Sequence, residues 1–222
     1  MTYVMSDIHG NLDRYRSVMS KINLAAEDHL YILGDVIDRY PFGIQILLAL
    51  MEMQNATVLL GNHELMMIKA IQGSIQYNPM EVWNRNGGRF TRMEFLNQPE
   101  KIQKRILDYL SSLPLTAEVE AGGKQYLLVH GAPPELHGKI PTKYMDKKEF
   151  SVWTRIGEDD PMPEGKTVIL GHTPTEYYQE GVPLRIWHGG DKIGIDCGAG
   201  HSHPVCRLAC IRLDDMVEYY SD

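Results

Sequence analysis

The sequence predicts an α/β fold, because short apolar runs alternate with helical patterns through the first third of the chain. Three of the runs have the length and composition of buried strands: Thr2 to Met5, His29 to Leu33 and Thr57 to Leu60. A segment with helical spacing of apolar residues follows each run. This alternation implies parallel strands whose connecting helices cover the sheet.

Each of these three helices carries a sequence signal for where it begins or how it packs. Asn11 can cap the first helix, whose apolar positions recur with helical spacing at Leu12, Tyr15, Val18, Met19 and Ile22. The second helix, Phe42 to Met53, is so apolar that it must lie against the sheet. Asn62 opens the third helix, which runs to about Ile71.

The alternation breaks between Gly73 and Leu113, where we predict a helical insertion. Turn signals at Asn78-Pro79 and Asn86-Gly87-Gly88 interrupt this segment. An amphipathic helix occupies Pro99 to Leu113. We interpret the whole segment, residues 73–113, as a cap and expect it to contact the substrate.

The second half of the chain predicts further strands. Thr116 to Glu120 and Gln125 to Val129 form a hairpin around Gly122-Gly123. A short helix at Lys147 to Trp153 precedes a strand at Thr167 to Leu170, and the remainder has the turns of an antiparallel arrangement. Because the sequence has no repeats or Pro/Ser-rich linkers, we expect a single domain over residues 1–222.

The composition narrows the possible function classes. The 222 residues carry a formal net charge of −7, which argues against a nucleic-acid partner and requires local positive charge to attract an anionic substrate. Three cysteines, clustered near the C-terminus, predict a reducing compartment. The chain opens on a strand without a leader, and its longest apolar run, Ile46 to Met51, is too short for a bilayer. We therefore expect a soluble, cytoplasmic protein with no membrane partner.

Side chains that bind metals follow five of the predicted strands. They are Asp7 and His9 after the first strand, Asp35 after the second, Asn62 after the third, and His130 and His172 after two later strands. In open α/β sheets, ligands collect outside the carboxyl ends of the strands. We therefore expect these side chains to converge.

The converging side chains suit two cations that share one carboxylate. Asp7 and His9 are alternate residues that point the same way, so they can hold one cation. The second cation would be held by an amide oxygen and two imidazoles, from Asn62, His130 and His172. Asp35 has two carboxylate oxygens and can bridge both cations. Nitrogen and oxygen donors without a thiolate favour Mn, Fe or Zn, of which we predict Mn.

Two cations about 3.5–4 Å apart form an arrangement that hydrolyses phosphoesters, because a bridging hydroxide can attack phosphorus directly. The chain can also supply the remaining chemistry. Arg39 and Arg155 can each make bidentate contacts to a phosphate. His63 is placed to donate a proton to the leaving group, and Asp38 can pair with His63 and keep it protonated.

Seven sequence blocks carry a resemblance to a known family. Five of them, Ser6-Asp-Ile-His-Gly10, Gly34-Asp-Val-Ile-Asp-Arg39, Gly61-Asn-His-Glu64, His130-Gly131 and Gly171-His-Thr173, resemble the signature blocks of the PPP family of metallophosphoesterases. That family includes Ser/Thr protein phosphatases and symmetrical diadenosine-tetraphosphate hydrolases. Two more, Trp83-Asn-Arg-Asn-Gly-Gly88 and Trp153-Thr-Arg155, are similar to blocks of the small bacterial and lambda-phage phosphatases.

The resemblance implies a role for each matching residue. The first metal would be bound by Asp7, His9 and Asp35, and the second by Asp35, Asn62, His130 and His172. Arg39 and Arg155 would bind phosphate, next to Asn62, and His63 with Asp38 would form the acid pair. The implied fold is the four-layer α+β arrangement of the calcineurin-like metallophosphoesterases, a β-sandwich flanked by helices with a helical cap insertion. This fold replaces the single parallel sheet that the alternation alone suggests.

The chain departs from the family pattern at three positions where glycine is usual: Ser6, Tyr40 and Ala132. None of these departures removes a ligand. Tyr40 adds an aromatic ring beside Arg39, so we include it among the substrate-binding residues. The departure at Tyr40 therefore bears on the substrate class more than on the chemistry.

Two carboxylates and one cysteine–histidine cluster have roles that the sequence leaves open. Glu64 is either an outer partner of the metal site or a first-turn carboxylate favoured by the helix dipole. Asp196 either orients an active-site group or belongs to a turn. The spacing of Cys197, His201 and His203 fits no common zinc motif, which favours a turn with exposed histidines.

The leading functional hypothesis is metal-dependent hydrolysis of phosphate monoesters, with phosphoserine or phosphothreonine in proteins as the substrate and phosphorylated small molecules as alternatives. A symmetrical dinucleoside-polyphosphate hydrolase shares every catalytic residue and is the alternative enzyme. A catalytically dead binding module would usually have lost a ligand, and this chain keeps them all. Arginines of the cap are interleaved with acidic residues, which disfavours a polyphosphate chain. We expect Tyr40, Tyr77 and Trp83 to line a shallow groove for a phosphoprotein.

Overall fold

Two five-stranded sheets form the centre of the computed structural model, which describes residues 1–73, 78–142, 144–181 and 183–222. In chain order the strands are β1 (Thr2–Met5), β2 (His29–Ile32), β3 (Ala56–Val58), β4 (Thr116–Ala121), β5 (Lys124–Val129), β6 (Thr167–Leu170), β7 (Trp187–His188), β8 (Lys192–Gly194), β9 (Ala209–Arg212) and β10 (Val217–Tyr220). The first sheet has the order β10-β9-β1-β2-β3 and the second the order β4-β5-β6-β8-β7. Both sheets are mixed, so the single parallel sheet suggested by the alternation alone is wrong.

The helices surround these sheets. They are α1 (Leu12–Ile22), α2 (Gly43–Glu52), α3 (Asn62–Gln72), α4 (Pro79–Arg85), α5 (Arg89–Leu96), α6 (Glu100–Ser112) and α7 (Lys147–Trp153). Asn11 caps α1 as predicted, because its side chain accepts a hydrogen bond from the backbone N–H of Arg14. In the part of the chain that the structure describes, no helix has the length and apolar character needed to cross a bilayer.

Alternate residues of the strands face different layers, as the period of a β-strand requires. Val4 of β1 packs between the sheets, in one cluster with Leu128 and Ile169 of the second sheet. Met5, the next residue of β1, instead packs in a cluster with residues of α1 and α2. On the far face of the second sheet, Val168 packs with Phe150 of α7. The order helix, sheet, sheet, helix confirms the predicted four-layer fold.

The parallel strands bring the predicted ligands to one edge. β1, β2 and β3 run parallel in the first sheet, and β5, β6 and β8 run parallel in the second. β3 ends at Val58 rather than at the predicted Leu60, because the N–H of Leu60 donates to the carbonyl of Pro114 and not to β2. The segments after these parallel strands carry the six predicted ligands.

The predicted cap is part of the helical layer. Helix α5 packs against α2, and both α4 and α6 pack against α3. The insertion contributes buried apolar side chains to the same cluster as α1 and α2, among them Trp83, Phe95, Ile106 and Leu110. Residues 74–77, which include Tyr77, lie outside the described part of the chain. The assignment of all 222 residues to one domain stays a prediction.

Candidate active site

Six residues of the predicted site have left-handed backbone conformations. Their φ angles lie between 52° and 74°, at Asp7, His9, Asp35, Asp38, Arg39 and His172. A non-glycine residue in this region typically costs about 1–3 kcal/mol and persists only where its surroundings hold it. Hydrogen bonds between the loops that follow β1 and β2 provide such support, because the N–H of His9 donates to the carbonyl of Asp35 at 2.9 Å. The two loops are therefore held side by side.

The carboxylate of Asp35 lies at the centre of the site and is 1% exposed. Its Oδ1 is 3.4 Å from Nε2 of His130, and its Oδ2 is 3.6 Å from Nε2 of His9 and 3.8 Å from Nε2 of His63. These separations exceed those of good N–H···O hydrogen bonds. They suit donor atoms that each lie about 2.0–2.2 Å from a shared cation. The donor set therefore fits metal ions on both sides of this carboxylate.

The outer nitrogens of three imidazoles are bonded to backbone carbonyls. Nδ1 of His130 donates to Leu33 at 2.6 Å and Nδ1 of His9 donates to Ile37 at 3.1 Å. Nε2 of His172 is 3.1 Å from the carbonyl of Trp153. Bonds of this kind fix the tautomer and the ring orientation of metal-binding histidines. They leave one unprotonated nitrogen of each ring to bind a cation.

The electrostatics of these rings agree with a metal-binding role. Burial lowers the pKa of His9 well below its usual value, and the charges of His63 and Arg39 lower it further. Burial also lowers the pKa of His172, assisted by His130 and Arg155. Neutral imidazoles are the form that binds metals. Both rings are therefore ready to accept a cation without first losing a proton.

The structure brings together all six predicted ligands. The donor atoms form two groups, and within each group all of them lie within 4.8 Å of one another. One group comes from His9, Asp35 and His63, and the other from Asp35, His130 and His172. Asp7 joins the first group through Oδ1, 3.8 Å from Nε2 of His9, and Asn62 joins the second through Oδ1, 2.9 Å from Nε2 of His130. Among the described residues, Cys197, His201 and His203 form no such group.

His63 differs from the other imidazoles because it is paired with a carboxylate. Its Nδ1 is 2.7 Å from Oδ2 of Asp38, and both side chains are buried. Burial acts to lower the pKa of His63, but Asp35 and Asp38 outweigh this effect and raise it. The pairing with Asp38 occupies Nδ1 of His63, so Nε2 is the ring nitrogen that faces the centre of the site.

The two predicted phosphate-binding arginines border this centre. Nη2 of Arg39 is 3.5 Å from Nε2 of His63, and its Nη1 is 3.3 Å from Nε2 of the exposed His201. Arg155 is exposed, and its guanidinium lies 5.0 Å from the centre of the Tyr177 ring. The backbone of Tyr40 is held by hydrogen bonds within the site, and contact of its ring with substrate stays a prediction.

Glu64 supports the loop that carries Asp35. Its carboxylate accepts hydrogen bonds from the backbone N–H groups of Asp35 at 2.8 Å, Val36 at 2.9 Å and Gly61 at 3.1 Å. The structure therefore favours Glu64 as an outer partner of the metal site over Glu64 as a first-turn carboxylate that only interacts with the helix dipole. A glutamate three residues after the residue that precedes a helix is a known capping signal, and this spacing was visible in the sequence.

Two further polar residues, Ser6 and Asp196, make buried hydrogen bonds near the centre. The hydroxyl of Ser6 donates to the Asp7 carboxylate, so this departure from glycine adds a support for a predicted ligand. Asp196 is buried and accepts the N–H of Gly198 at 2.8 Å, as expected for a turn residue. Burial, with the nearby charge of Asp7, raises the pKa of Asp196 to about 7.

The prediction that Trp83 lines a substrate groove is wrong. Its side chain is 0% exposed, and its Nε1 donates to the Asp38 carboxylate, 2.9 Å from Oδ2 and 3.0 Å from Oδ1. The sequence pattern showed an aromatic residue in the insertion, and periodicity alone cannot reveal a polar partner 45 residues away. Trp83 therefore supports the Asp38 carboxylate from behind.

Lys192 is a buried cation that sequence reasoning missed. It is 1% exposed, and its ammonium donates to the carbonyls of Glu158 at 2.8 Å, Gly157 at 3.2 Å and Asp160. These carbonyls belong to the loop that follows Arg155. A lysine in the short strand β8 gave no sign in the sequence that it would be buried.

We predict that Lys192→Met destabilises the protein and loosens this loop. The substitution removes the donor of three partly buried carbonyls, and an unsatisfied buried group costs about 1–3 kcal/mol. Urea unfolding should show a loss of that size or larger, and amide exchange at residues 157–160 should accelerate. Lys166→Met is the matched control, because Lys166 forms a half-exposed pair with Glu118, and such pairs contribute about 0–1 kcal/mol. Equal stability losses in the two variants would contradict the prediction.

Comparison with known proteins places this site in context. The family model for calcineurin-like phosphoesterases matches residues 2–205. The symmetrical bis(5'-nucleosyl)-tetraphosphatase of Delftia acidovorans is 32% identical over 131 residues, which cover 58% of this chain and 43% of that protein. The chain spans about half the length of the curated relatives it matches first.

Solved structures share the fold at low sequence identity. A metallophosphoesterase from Sphaerobacter thermophilus matches with a TM-score of 0.60 and 17% identity, over 100% of this chain and 88% of that one. A protein serine/threonine phosphatase from Saccharomyces cerevisiae matches with a TM-score of 0.63 and 13% identity, over 100% and 79%. These likenesses concern the fold alone, and neighbours with different activities share it.

Proposed function

This chain belongs to the calcineurin-like phosphoesterase family, and we propose that it hydrolyses phosphate monoesters at a centre of two divalent cations. The observation that carries the proposal is the position of Asp35. Its two carboxylate oxygens face separate sets of imidazole nitrogens at 3.4–3.8 Å. A carboxylate so placed can be shared by two cations, which is the arrangement of binuclear phosphoesterases.

The proposed ligands divide as the sequence predicts. One cation would be held by Asp7, His9 and Asp35, and the other by Asp35, Asn62, His130 and His172. We propose manganese, with iron and zinc as alternatives, because the donors are nitrogen and oxygen atoms. When bound, the cations would polarise the phosphoryl group and activate water for attack on phosphorus.

The protein's own side chains would bind the phosphate and complete the proton transfer. Arg39 and Arg155 offer planar guanidinium groups to the nonbridging oxygens, next to the amide of Asn62. His63 would donate the proton from Nε2 to the departing oxygen, since its Nδ1 is bonded to Asp38 at 2.7 Å. Asp38 would hold the ring in the orientation that this transfer needs.

We predict that His63→Asn slows hydrolysis of substrates with basic leaving groups far more than of activated ones. A general acid contributes about 10²–10⁴-fold when the departing oxygen is basic, as the alkoxide of serine is. The loss on a phosphoserine peptide should approach that range and should be much smaller on p-nitrophenyl phosphate. Metal content should stay unchanged. Equal losses on both substrates would refute the proton-donor role.

Phosphoserine and phosphothreonine in proteins are the proposed substrates. Two of the arginines in the insertion are paired with carboxylates, Arg85 with Glu81 and Arg105 with Glu52. They therefore offer little free charge for a long polyanion, and the net charge of −7 adds a general repulsion. A single phosphate needs only the two cations and Arg39 with Arg155.

The second candidate is a symmetrical dinucleoside-polyphosphate hydrolase. It is favoured by the names of the curated relatives, which include the symmetrical bis(5'-nucleosyl)-tetraphosphatase of Delftia acidovorans. Both candidate reactions use the same proposed ligands, arginines and proton donor. The two reactions differ in the part of the substrate that surrounds the phosphate. A comparison of substrates is therefore needed to distinguish the two candidate functions.

A direct comparison of substrates tests the proposal. We expect the purified protein with Mn²⁺ to show a higher kcat/KM on phosphoserine or phosphothreonine peptides than on diadenosine tetraphosphate. An unphosphorylated peptide and a metal-free sample serve as controls. A higher kcat/KM on diadenosine tetraphosphate, with two ADP as products, would replace the first candidate by the second. Absence of activity on every phosphoester would overturn the proposed chemistry as a whole.

A further inference from the structure

The insertion is bonded directly to the loop that carries the proposed acid pair. We call residues 83–94 the clamp segment and residues 38–44 the Asp38 loop. Two N–H groups at the start of the Asp38 loop donate to the clamp segment. The N–H of Asp38 donates to Oγ1 of Thr91 at 2.9 Å, and the N–H of Arg39 donates to the carbonyl of Gly87 at 3.0 Å. The clamp segment also donates to the loop, because the indole N–H of Trp83 donates to the Asp38 carboxylate.

The far end of the Asp38 loop is held in the same way. The carboxylate of Glu94 accepts the N–H of Phe42 at 2.8 Å and the N–H of Ile44 at 3.0 Å. The loop needs this support, because Asp38, Arg39 and Phe42 all have positive φ angles, of 74°, 66° and 78°. The clamp segment thus holds a strained loop at both ends.

Trp83 has the most direct connection to the proposed chemistry. Both Trp83 and Asp38 are 0% exposed, so water cannot replace the indole N–H as a donor. The ring also packs tightly against Gly88, where an added Cβ would lie 2.5 Å from ring atoms. The indole is therefore fixed in place, and its N–H points at the carboxylate that accepts from Nδ1 of His63.

We propose that Trp83 is a positioning residue for the proton donor. Its indole N–H orients the Asp38 carboxylate, and this carboxylate orients the imidazole of His63 towards the leaving group. The inference rests on the proposed function, because it takes His63 as the general acid. Trp83 itself touches neither the substrate nor the metals and exchanges no proton.

The test is Trp83→Phe, which removes the N–H donor and keeps an aromatic ring in the slot. We expect kcat on phenyl phosphate, whose leaving group is basic, to fall about tenfold or more, and kcat on p-nitrophenyl phosphate to fall less than about threefold. KM should change little on either substrate. Trp187→Phe is the matched control, since Trp187 is a buried indole in the second sheet, and it should not change the ratio of the two rates.

A double variant separates positioning from general structural damage. If Trp83 acts through His63, adding Trp83→Phe to His63→Asn should cause almost no further loss on phenyl phosphate. Additive losses, or equal losses on both aryl phosphates, would overturn the inference. If Trp83→Phe does not fold, Thr91→Val removes the hydroxyl that accepts from the backbone N–H of Asp38 and should produce the same leaving-group dependence.

Failure of this inference can be distinguished from failure of the proposed function. A His63→Asn variant without leaving-group dependence would remove the acid assignment on which the inference rests. A His63→Asn variant with that dependence, beside a Trp83→Phe variant without it, would overturn the role of Trp83 alone. Aryl phosphates report on the acid for either natural substrate, so a preference for diadenosine tetraphosphate would not affect the test.

Discussion

The burial of the Asp35 carboxylate is the constraint on which the rest of the site depends. Burial raises the pKa of this group well above its usual value, although the charge of His63 opposes the shift. A buried carboxylate needs compensating positive charge, and two divalent cations would supply it. The surrounding elements are arranged accordingly, because imidazoles from the loops after β1 and β5 and from the start of α3 all face its oxygens.

The convergence of these side chains on Asp35 requires loops with positive φ angles. Hydrogen bonds from the surrounding structure stabilise these loops. Glu64 accepts four hydrogen bonds around the Asp35 loop, and the insertion bonds both ends of the neighbouring Asp38 loop. Lys192 holds the loop after Arg155 by its carbonyls. The insertion therefore has a structural role besides the substrate contact that its sequence suggested, and that contact stays a prediction. It packs into the helical layer and supports the site from behind.

The sequence predicted the fold and the side chains that converge at the site, because both leave local signals. Apolar runs of strand length indicate the strands of the sheet. Metal binding limits the residues that follow a strand, such as Asp7 and His9, to the few types that can donate to a cation. The supporting contacts leave no such signal. The bond from Trp83 to Asp38 joins residues 45 positions apart, and the bond from Lys192 to Gly157 joins residues 35 apart. In the sequence, an aromatic residue in a helix and a lysine in a strand have many ordinary interpretations.

The most direct test of the central claim is a count of bound manganese in the wild-type protein and in Asp35→Asn. A carboxamide cannot bridge two cations as an anion does, so the substitution should weaken both ions together. We expect elemental analysis to find about two equivalents in the metal-saturated wild-type protein, in line with two-metal phosphoesterase sites. In Asp35→Asn, occupancy of both sites should fall. A fully active wild-type protein with one equivalent, or an Asp35→Asn variant that keeps both ions, would contradict a shared carboxylate.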